Sequence, residues 1–250
     1  MADPTFADLA RGILRTLATA WRPCQPLLAV AALAALVLSA GGALLFELPV
    51  AENVVAAPML AVTLAVSAGV AGFIVTGEDA YTRLGGVVRR ARSYAFVVRY
   101  LLLSLALSLP LVAVLPLMLA GDGAAGGPAA LVAVAALVLT LWLSARMALF
   151  PYSVFLARPL TVREAFERTR GQALKILGCI LLFASAILVA VTLATLVIGG
   201  VAGALGASGA TQLALQSLGQ LVAAYAIDCV YGTITRALAP DAGAGAAAGG

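Results

Sequence analysis

Two ionisable residues, Arg146 and Asp228, stand inside long apolar runs. Counting back from the polar ends of their runs, at about 1.5 Å per residue, Arg146 lies roughly 16 Å in from Ala157 and Asp228 roughly 15 Å in from Leu238. If the runs cross a membrane, a charge at such depth costs at least ~2.5–3.5 kcal/mol and normally faces a partner or a cavity. The matched depths predict that Arg146 and Asp228 pair across two helices. Such a pair can fix helix packing, or it can serve as a substrate or proton site. Pro151 adds to the polarity, because it has no N–H for the carbonyl of Met147, next to Arg146.

Gln212, Gln216 and Gln220 form a row of four-residue steps leading towards Asp228. The row drifts by about 40° per step on a helix of 3.6 residues per turn, so Gln220 and Asp228 share a broad face while Gln212 and Asp228 hardly do. Arg146, Asp228 and Gln220 are therefore the candidate buried polar site, with interhelical hydrogen bonding as the expected use of the glutamine row. Arg99 begins only a little way into its run and is shallow enough to snorkel.

Other chemistries have little to work with. The chain contains no His, no G-x-S-x-G element, no phosphate loop and no paired carboxylates at depth. Cys24, Cys179 and Cys229 include no C-x-x-C pair and have no His to complete a metal set. They are expected to be small apolar packers. The sequence thus predicts neither an enzyme nor a cofactor or metal.

The elements that must position these residues follow from composition. Of 250 residues, 63% are hydrophobic and 10% charged, against roughly 25% charged in soluble domains. An integral membrane protein is the reading this supports, since a water-soluble chain so apolar would expose too much apolar surface. Six apolar segments are expected over Leu27–Phe46, Val54–Thr76, Tyr94–Ala120, Ala129–Ala157, Leu174–Ile198 and Leu213–Leu238. Pro110 and Pro116 are expected to kink the third segment, and Pro151 to break the fourth. Short turns are expected at 47–52, 121–128 and 199–209. The predicted fold class is all-α, a polytopic bundle of six transmembrane helices over 27–238, with an interfacial segment at 1–26 and a disordered Ala/Gly tail at 239–250.

Two amphipathic stretches flank the spans. In the first, Thr5-x-x-Asp8 forms a capping box. Phe6, Leu9, Ile13, Leu17 and Trp21 fall on one helical face, with Asp8, Arg11, Arg15 and Arg22 on another. This predicts a short helix in the headgroup layer, ended by Pro23 and Pro26. Asp3, Asp8 and the late first apolar run argue against a cleavable signal peptide. The second stretch follows the fourth segment. Thr161-x-x-Glu164 is another capping box, Val162, Ala165, Phe166 and Thr169 share one face, and Arg163–Glu167 and Glu164–Arg168 are i,i+4 pairs.

The basic residues then orient the bundle. Of 15 Lys and Arg, all but Arg99 and Arg146 lie in the N-terminal region, the loops after the second and fourth segments, or the C-terminal end. The positive-inside rule gives six spans with both termini cytoplasmic. Because these charges sit in short loops between apolar segments, no nucleic-acid partner is expected. Anionic lipid headgroups are the expected partner, through Arg11, Arg15, Arg89, Arg90, Arg92, Arg163 and Arg170. Four-residue steps of small residues, such as Ala31, Ala35 and Ser39, or Ala61, Ala65 and Gly69, allow close helix approach and leave a homo-oligomer or a membrane-protein partner open.

Phe150-Pro151-Tyr152, the stretch from Leu160 to Gly171, and Val230-Tyr231-Gly232-Thr233-Ile234-Thr235-Arg236 near the last helix end together resemble a superfamily of six-helix bacterial membrane proteins. It includes the YciC-like proteins and the membrane domain of some glycerophosphoryl diester phosphodiesterases. The resemblance implies the six-helix fold and an inner-membrane location, without phosphodiesterase activity. The acidic residue it implies shortly after Pro151-Tyr152 is missing from Phe155-Leu156-Ala157-Arg158. The functional expectation is a non-catalytic membrane-embedded scaffold or an envelope and lipid-homeostasis factor. The alternative is a small transporter or permease using the Arg146/Asp228 region.

Overall fold

The computed structural model describes residues 4–44, 51–119, 128–204 and 209–239, and all their regular structure is helical. The helices are α1 (Phe6–Leu44), α2 (Ala51–Thr76), α3 (Leu84–Val88), α4 (Ala91–Leu119), α5 (Pro128–Met147), α6 (Leu149–Tyr152), α7 (Val162–Arg168), α8 (Ala173–Ala204) and α9 (Gly209–Leu238), with 3-10 turns at Asp79–Thr82 and Ser153–Phe155. Six of them, α1, α2, α4, α5, α8 and α9, are long and apolar enough to cross a membrane. The turn expected at 121–128 and the tail from 240 on lie outside the described residues, except for Pro128. Part of the turn expected at 199–209 is helix, because α8 runs on to Ala204.

The first helix corrects one expectation. Pro23 and Pro26 do not end it; α1 is a single helix of 39 residues, roughly 58 Å long at 1.5 Å per residue. Leu9, Ile13, Ala20, Cys24, Leu27, Ala31 and Ala35 are all buried, and their spacing keeps one stripe on one face through both prolines. Packing of that stripe against α9 and α2 offsets the intrahelical hydrogen bonds the prolines omit. The N-terminal amphipathic stretch is thus continuous with the first apolar segment in one helix.

α1, α2 and α9 form a trio in mutual contact; α8 lies on α9, and α4 pairs with α5 alongside. α1 and α9 run antiparallel. Gly12 meets Thr233 near one end, and Ser39 shares a hydrogen bond of 3.1 Å with Ser217 towards the other. Between them, Tyr225 donates to the Leu17 carbonyl at 2.9 Å, and Thr233 donates to Thr16 at 2.9 Å. Close backbone approach explains two glycines: a Cβ on Gly69 would lie 2.8 Å from the Tyr81 carbonyl oxygen, and one on Gly72 would enter the Tyr81 ring.

The α2–α3, α5–α8 and terminal segments meet at one end of the bundle. Gly77, at φ 75°, closes α2 by donating to the Phe73 carbonyl at 2.7 Å, a left-handed cap that glycine adopts without a Cβ penalty. Lys175 donates to the Pro4 carbonyl at 3.2 Å, joining the starts of α8 and α1. Tyr81 packs edge-on against Phe155 with centroids 5.4 Å apart, joining the turns after α2 and α6.

Candidate functional site

The fourth apolar segment is interrupted near Pro151, as expected. α5 ends at Met147, Ala148 keeps helical dihedrals, and α6 and the 3-10 turn carry the run on to Phe155 before the backbone becomes extended at Leu156 and leads into the connector helix α7. The Thr161–Glu164 capping box forms in full, with Glu164 Oε2 accepting from the Thr161 N–H at 2.8 Å. The second box, Thr5 with Asp8, also closes in both directions. Of the two predicted connector pairs, Arg163–Glu167 forms at 2.9 Å, whereas Glu164 pairs with Arg158 at 2.7 Å. Arg158 reaches back from the preceding turn and takes the carboxylate that the helical spacing assigned to Arg168. The expected apolar face is shorter than its pattern, since Ala165 and Thr169 are buried while Val162 is half exposed.

The inner face of α7 forms the Arg146 environment. The Thr169 hydroxyl lies 2.9 Å from the Arg146 carbonyl and shares its proton between that acceptor and the Ala165 and Phe166 carbonyls of its own helix, at 3.0 and 3.1 Å. The Arg146 guanidinium lies 4.0 Å from the centroid of Phe166 and 5.8 Å from that of Trp142. These rings meet edge to face. Cation–π contact with aromatic faces is favourable in a desolvated site. Arg146 is 9% exposed, and its Nε has no hydrogen-bond partner.

Asp228 is held separately. It is 1% exposed, and Tyr152, from α6, donates to its Oδ1 at 2.7 Å. Ser67 on α2 also faces the carboxylate, but Oδ2 has no hydrogen-bond partner. Tyr152 is fixed in turn by Tyr231, stacked at 5.4 Å, and by Phe96, edge-on at 5.3 Å. A carboxyl with one oxygen engaged and the other free can carry a proton, or accept one further hydrogen bond, at Oδ2.

The predicted Arg146–Asp228 pair is therefore absent: among the described residues neither side chain makes an ion pair. Arg146 faces the connector, over the Phe166 ring, and Tyr152 is the side chain presented to Asp228. Gln220 does not join them either. It is exposed, and with Gln216, Gly219 and Ala223 of α9 and Val191 and Thr195 of α8 it lines a cleft of about 440 Å³. Eight residues turn a helix by about 80° relative to the starting face, enough to carry Gln220 out of the core that holds Asp228. The side chain of Gln212 lies outside the described residues.

Arg99 has a role that sequence reading missed. It donates to the Leu160 carbonyl at 3.0 Å, to Ser153 Oγ at 3.1 Å and to the Phe150 carbonyl at 3.3 Å, with the guanidinium 4.6 Å from the Phe150 centroid. It thereby ties α4 to the carbonyls exposed where the fourth segment breaks. Its only signal was a guanidinium a short distance from Phe150-Pro151-Tyr152 in depth. Tyr152 and Thr169 were visible as parts of motifs, without their acceptors.

The predicted headgroup contacts divide into two sets. Arg15, Arg89, Arg92 and Arg170 are exposed at the end of the bundle where α1 begins and α9 ends, and Arg11, also exposed, pairs with Asp8 at 3.6 Å. Arg90 is paired with Glu78 and lies 4.6 Å over the Tyr81 ring, and Arg163 is engaged by Glu167. Comparison with family models, with curated proteins and with solved structures finds no match to this chain.

Proposed function

We propose that the chain is an integral inner-membrane protein with both termini cytoplasmic, acting without catalysis as a membrane-embedded scaffold or lipid-homeostasis factor. One observation carries this reading. Arg146 and Asp228 are each engaged within the chain, by aromatic faces and by the Tyr152 hydroxyl, while exposed arginines gather at the end where α1 begins and α9 ends. Guanidinium groups beside helix ends suit anionic headgroups. The likeness of Phe150-Pro151-Tyr152, the connector and the end of α9 to the six-helix bacterial superfamily supports the location.

The test is purification in mild detergent followed by lipid and protein mass spectrometry. Anionic phospholipid or a second protein should remain bound, and neutralising Arg89, Arg92 and Arg170 together should lower the lipid share. Material free of both lipid and partner would refute the reading. A single cysteine placed near either terminus, labelled only from the cytoplasmic side, checks the orientation.

A second reading has its own observation, the free Oδ2 of Asp228 in a core otherwise closed to water. A small permease could use that oxygen to bind or relay a proton with its solute. Solute or proton flux in proteoliposomes that Asp228→Asn abolishes, in protein that still folds, would favour this reading. Flux unchanged by that substitution would remove it.

A further inference from the structure

A second feature at the same end belongs to neither buried site. Arg22, Pro23 and Pro26 of α1 face Asp79, Thr82 and Arg83 of the turn after α2 across a cleft of about 500 Å³. Arg22, Asp79 and Arg83 are exposed, and none of the three is in an ion pair among the described residues. The contrast with neighbouring acids is sharp: Asp8, Glu78, Glu164 and Glu167 each have an arginine within ion-pair reach. Among the acids whose side chains are described, Asp79 is the exposed one left without an arginine partner. The helix wall adds an acceptor, because Pro26 has no N–H to give to the Arg22 carbonyl.

Beneath this polar cleft the lining changes. Leu27, Val30 and Ala34 of α1, with Ala61 and Ala65 of α2, form an apolar groove of about 220 Å³ that Leu84 closes on one side. Leu27 follows Pro26 and Leu84 follows Arg83, so groove and cleft adjoin. Trp21, exposed beside Arg22, has the amphipathic ring typical of the membrane–water boundary. Two free guanidiniums, a free carboxylate and an apolar slot are thus stacked in the order in which a phospholipid stacks headgroup and chain.

We propose that this is a binding site for one glycerophospholipid with a primary ammonium headgroup. The phosphodiester lies between Arg22 and Arg83, whose planar donors suit phosphate oxygens. The ammonium is held by Asp79 and the Arg22 carbonyl, and one acyl chain enters the α1–α2 groove. Asp79 sets the headgroup class. It repels a second negative charge, and a primary ammonium can donate hydrogen bonds to it where a trimethylammonium cannot. Free phosphate would leave the groove unused. The inference rests on the reading of this chain as a membrane protein whose basic end lies among headgroups.

Native mass spectrometry of delipidated full-length protein, titrated with phosphatidylethanolamine, phosphatidylcholine and phosphatidylglycerol of identical chains, tests it. The first adduct should form preferentially with phosphatidylethanolamine. Arg22→Ala with Arg83→Ala should weaken that adduct by about tenfold or more, as expected for lost charge-assisted hydrogen bonds. Asp79→Asn should erase the preference over phosphatidylcholine while leaving a first adduct with both. Ala34→Leu with Ala65→Leu should weaken all three lipids together. The conservative pair Arg22→Lys with Arg83→Lys should retain binding, which separates loss of the site from loss of the fold. Equal affinity for the three lipids, or a preference that survives Asp79→Asn, would overturn the inference while leaving the basic-end reading in place. No lipid adduct of any kind would overturn both.

Discussion

The trio α1, α2 and α9 and the pair α4 and α5 are all apolar enough to cross a membrane but are held by different forces. Half of the apolar window of α2 and of α9 is buried within the protein, against 6% of that of α4, with α1 at 28% and the α5 span at 22% in between. The trio packs side chain to side chain along its length, from Ile13 and Ile234 at one end to Ala35 beyond its middle. Helix α4 presents Leu101, Leu102, Leu105 and Leu109 outwards. A bilayer solvates such residues as well as another helix would, so the outward face needs no protein partner. What ties the pair to the trio is a layer at one end, where Phe96, Tyr100, Tyr152, Phe155 and Tyr231 meet and Arg99 reaches the broken end of the fourth segment. Hydropathy alone does not distinguish a helix packed along its length from one pinned near its end.

The largest expected effect falls on that layer. Tyr152→Ala removes a buried ring from between Phe96 and Tyr231 and leaves Asp228 without a donor, and should cost about 4 kcal/mol. Tyr152→Phe keeps the ring and should cost only about 1–2 kcal/mol. Unfolding equilibria in mixed micelles measure both. Equal losses would show that the hydrogen bond, and not aromatic packing, joins the two parts.

The trio's close packing gives the next contrast. Gly69→Ala drives a methyl group against Leu27 and the Tyr81 carbonyl and should destabilise by about 1–3 kcal/mol. Gly200→Ala on α8, where a Cβ meets nothing within 4 Å, should be neutral or stabilising by up to about 1 kcal/mol. A cost at Gly200 equal to that at Gly69 would mean that α8 is packed along its length too, by a partner outside this chain.

Arg99→Gln should cost about 2 kcal/mol by removing hydrogen bonds to the connector and the helix break. Leu105→Ala, a lipid-facing truncation on the same helix, should stay within about 0.5 kcal/mol. Reversal of that order would place the attachment of α4 along its length.

How much of this could be read in advance depends on what sets each feature. The six spans follow from run length and apolarity, which depend on local sequence alone. Both capping boxes are also local, and both form. The azimuth of a buried side chain is not local. Arg146 and Asp228 were matched by counting along their runs, but whether they meet depends on which partners each side chain finds: Phe166 of the connector for Arg146 and Tyr152 of α6 for Asp228. Pro23 and Pro26 misled for the same reason: their local preference to end a helix yields to a buried stripe whose partners lie on α9 and α2. The cleft of Arg22, Asp79 and Arg83 joins residues from two turns of chain that no spacing rule connects.

The smallest expected effect lies on the connector, which is held by local bonds rather than by the aromatic layer. The Glu164 carboxyl is kept below the usual carboxylate range, first by the Thr161 backbone N–H it accepts and then by the Thr161 hydroxyl. A carboxyl titrating lower in the folded chain than in the unfolded one stabilises the fold fully above its unfolded value, and that contribution is lost as pH falls through the folded value. Acidification through and below the ordinary carboxylate range should therefore loosen α7 while the layer around Tyr152 stays intact. A spin label at Val162→Cys reports this, since Val162 is half exposed and the native cysteines are buried. Label mobility should rise as pH falls, and Glu164→Gln should give raised mobility already at neutral pH with a flattened acid response. An unchanged acid transition in Glu164→Gln would move the sensitivity to Glu167, whose partner Arg163 is on the same helix. The connector would then be held by its surface ion pair rather than by its cap.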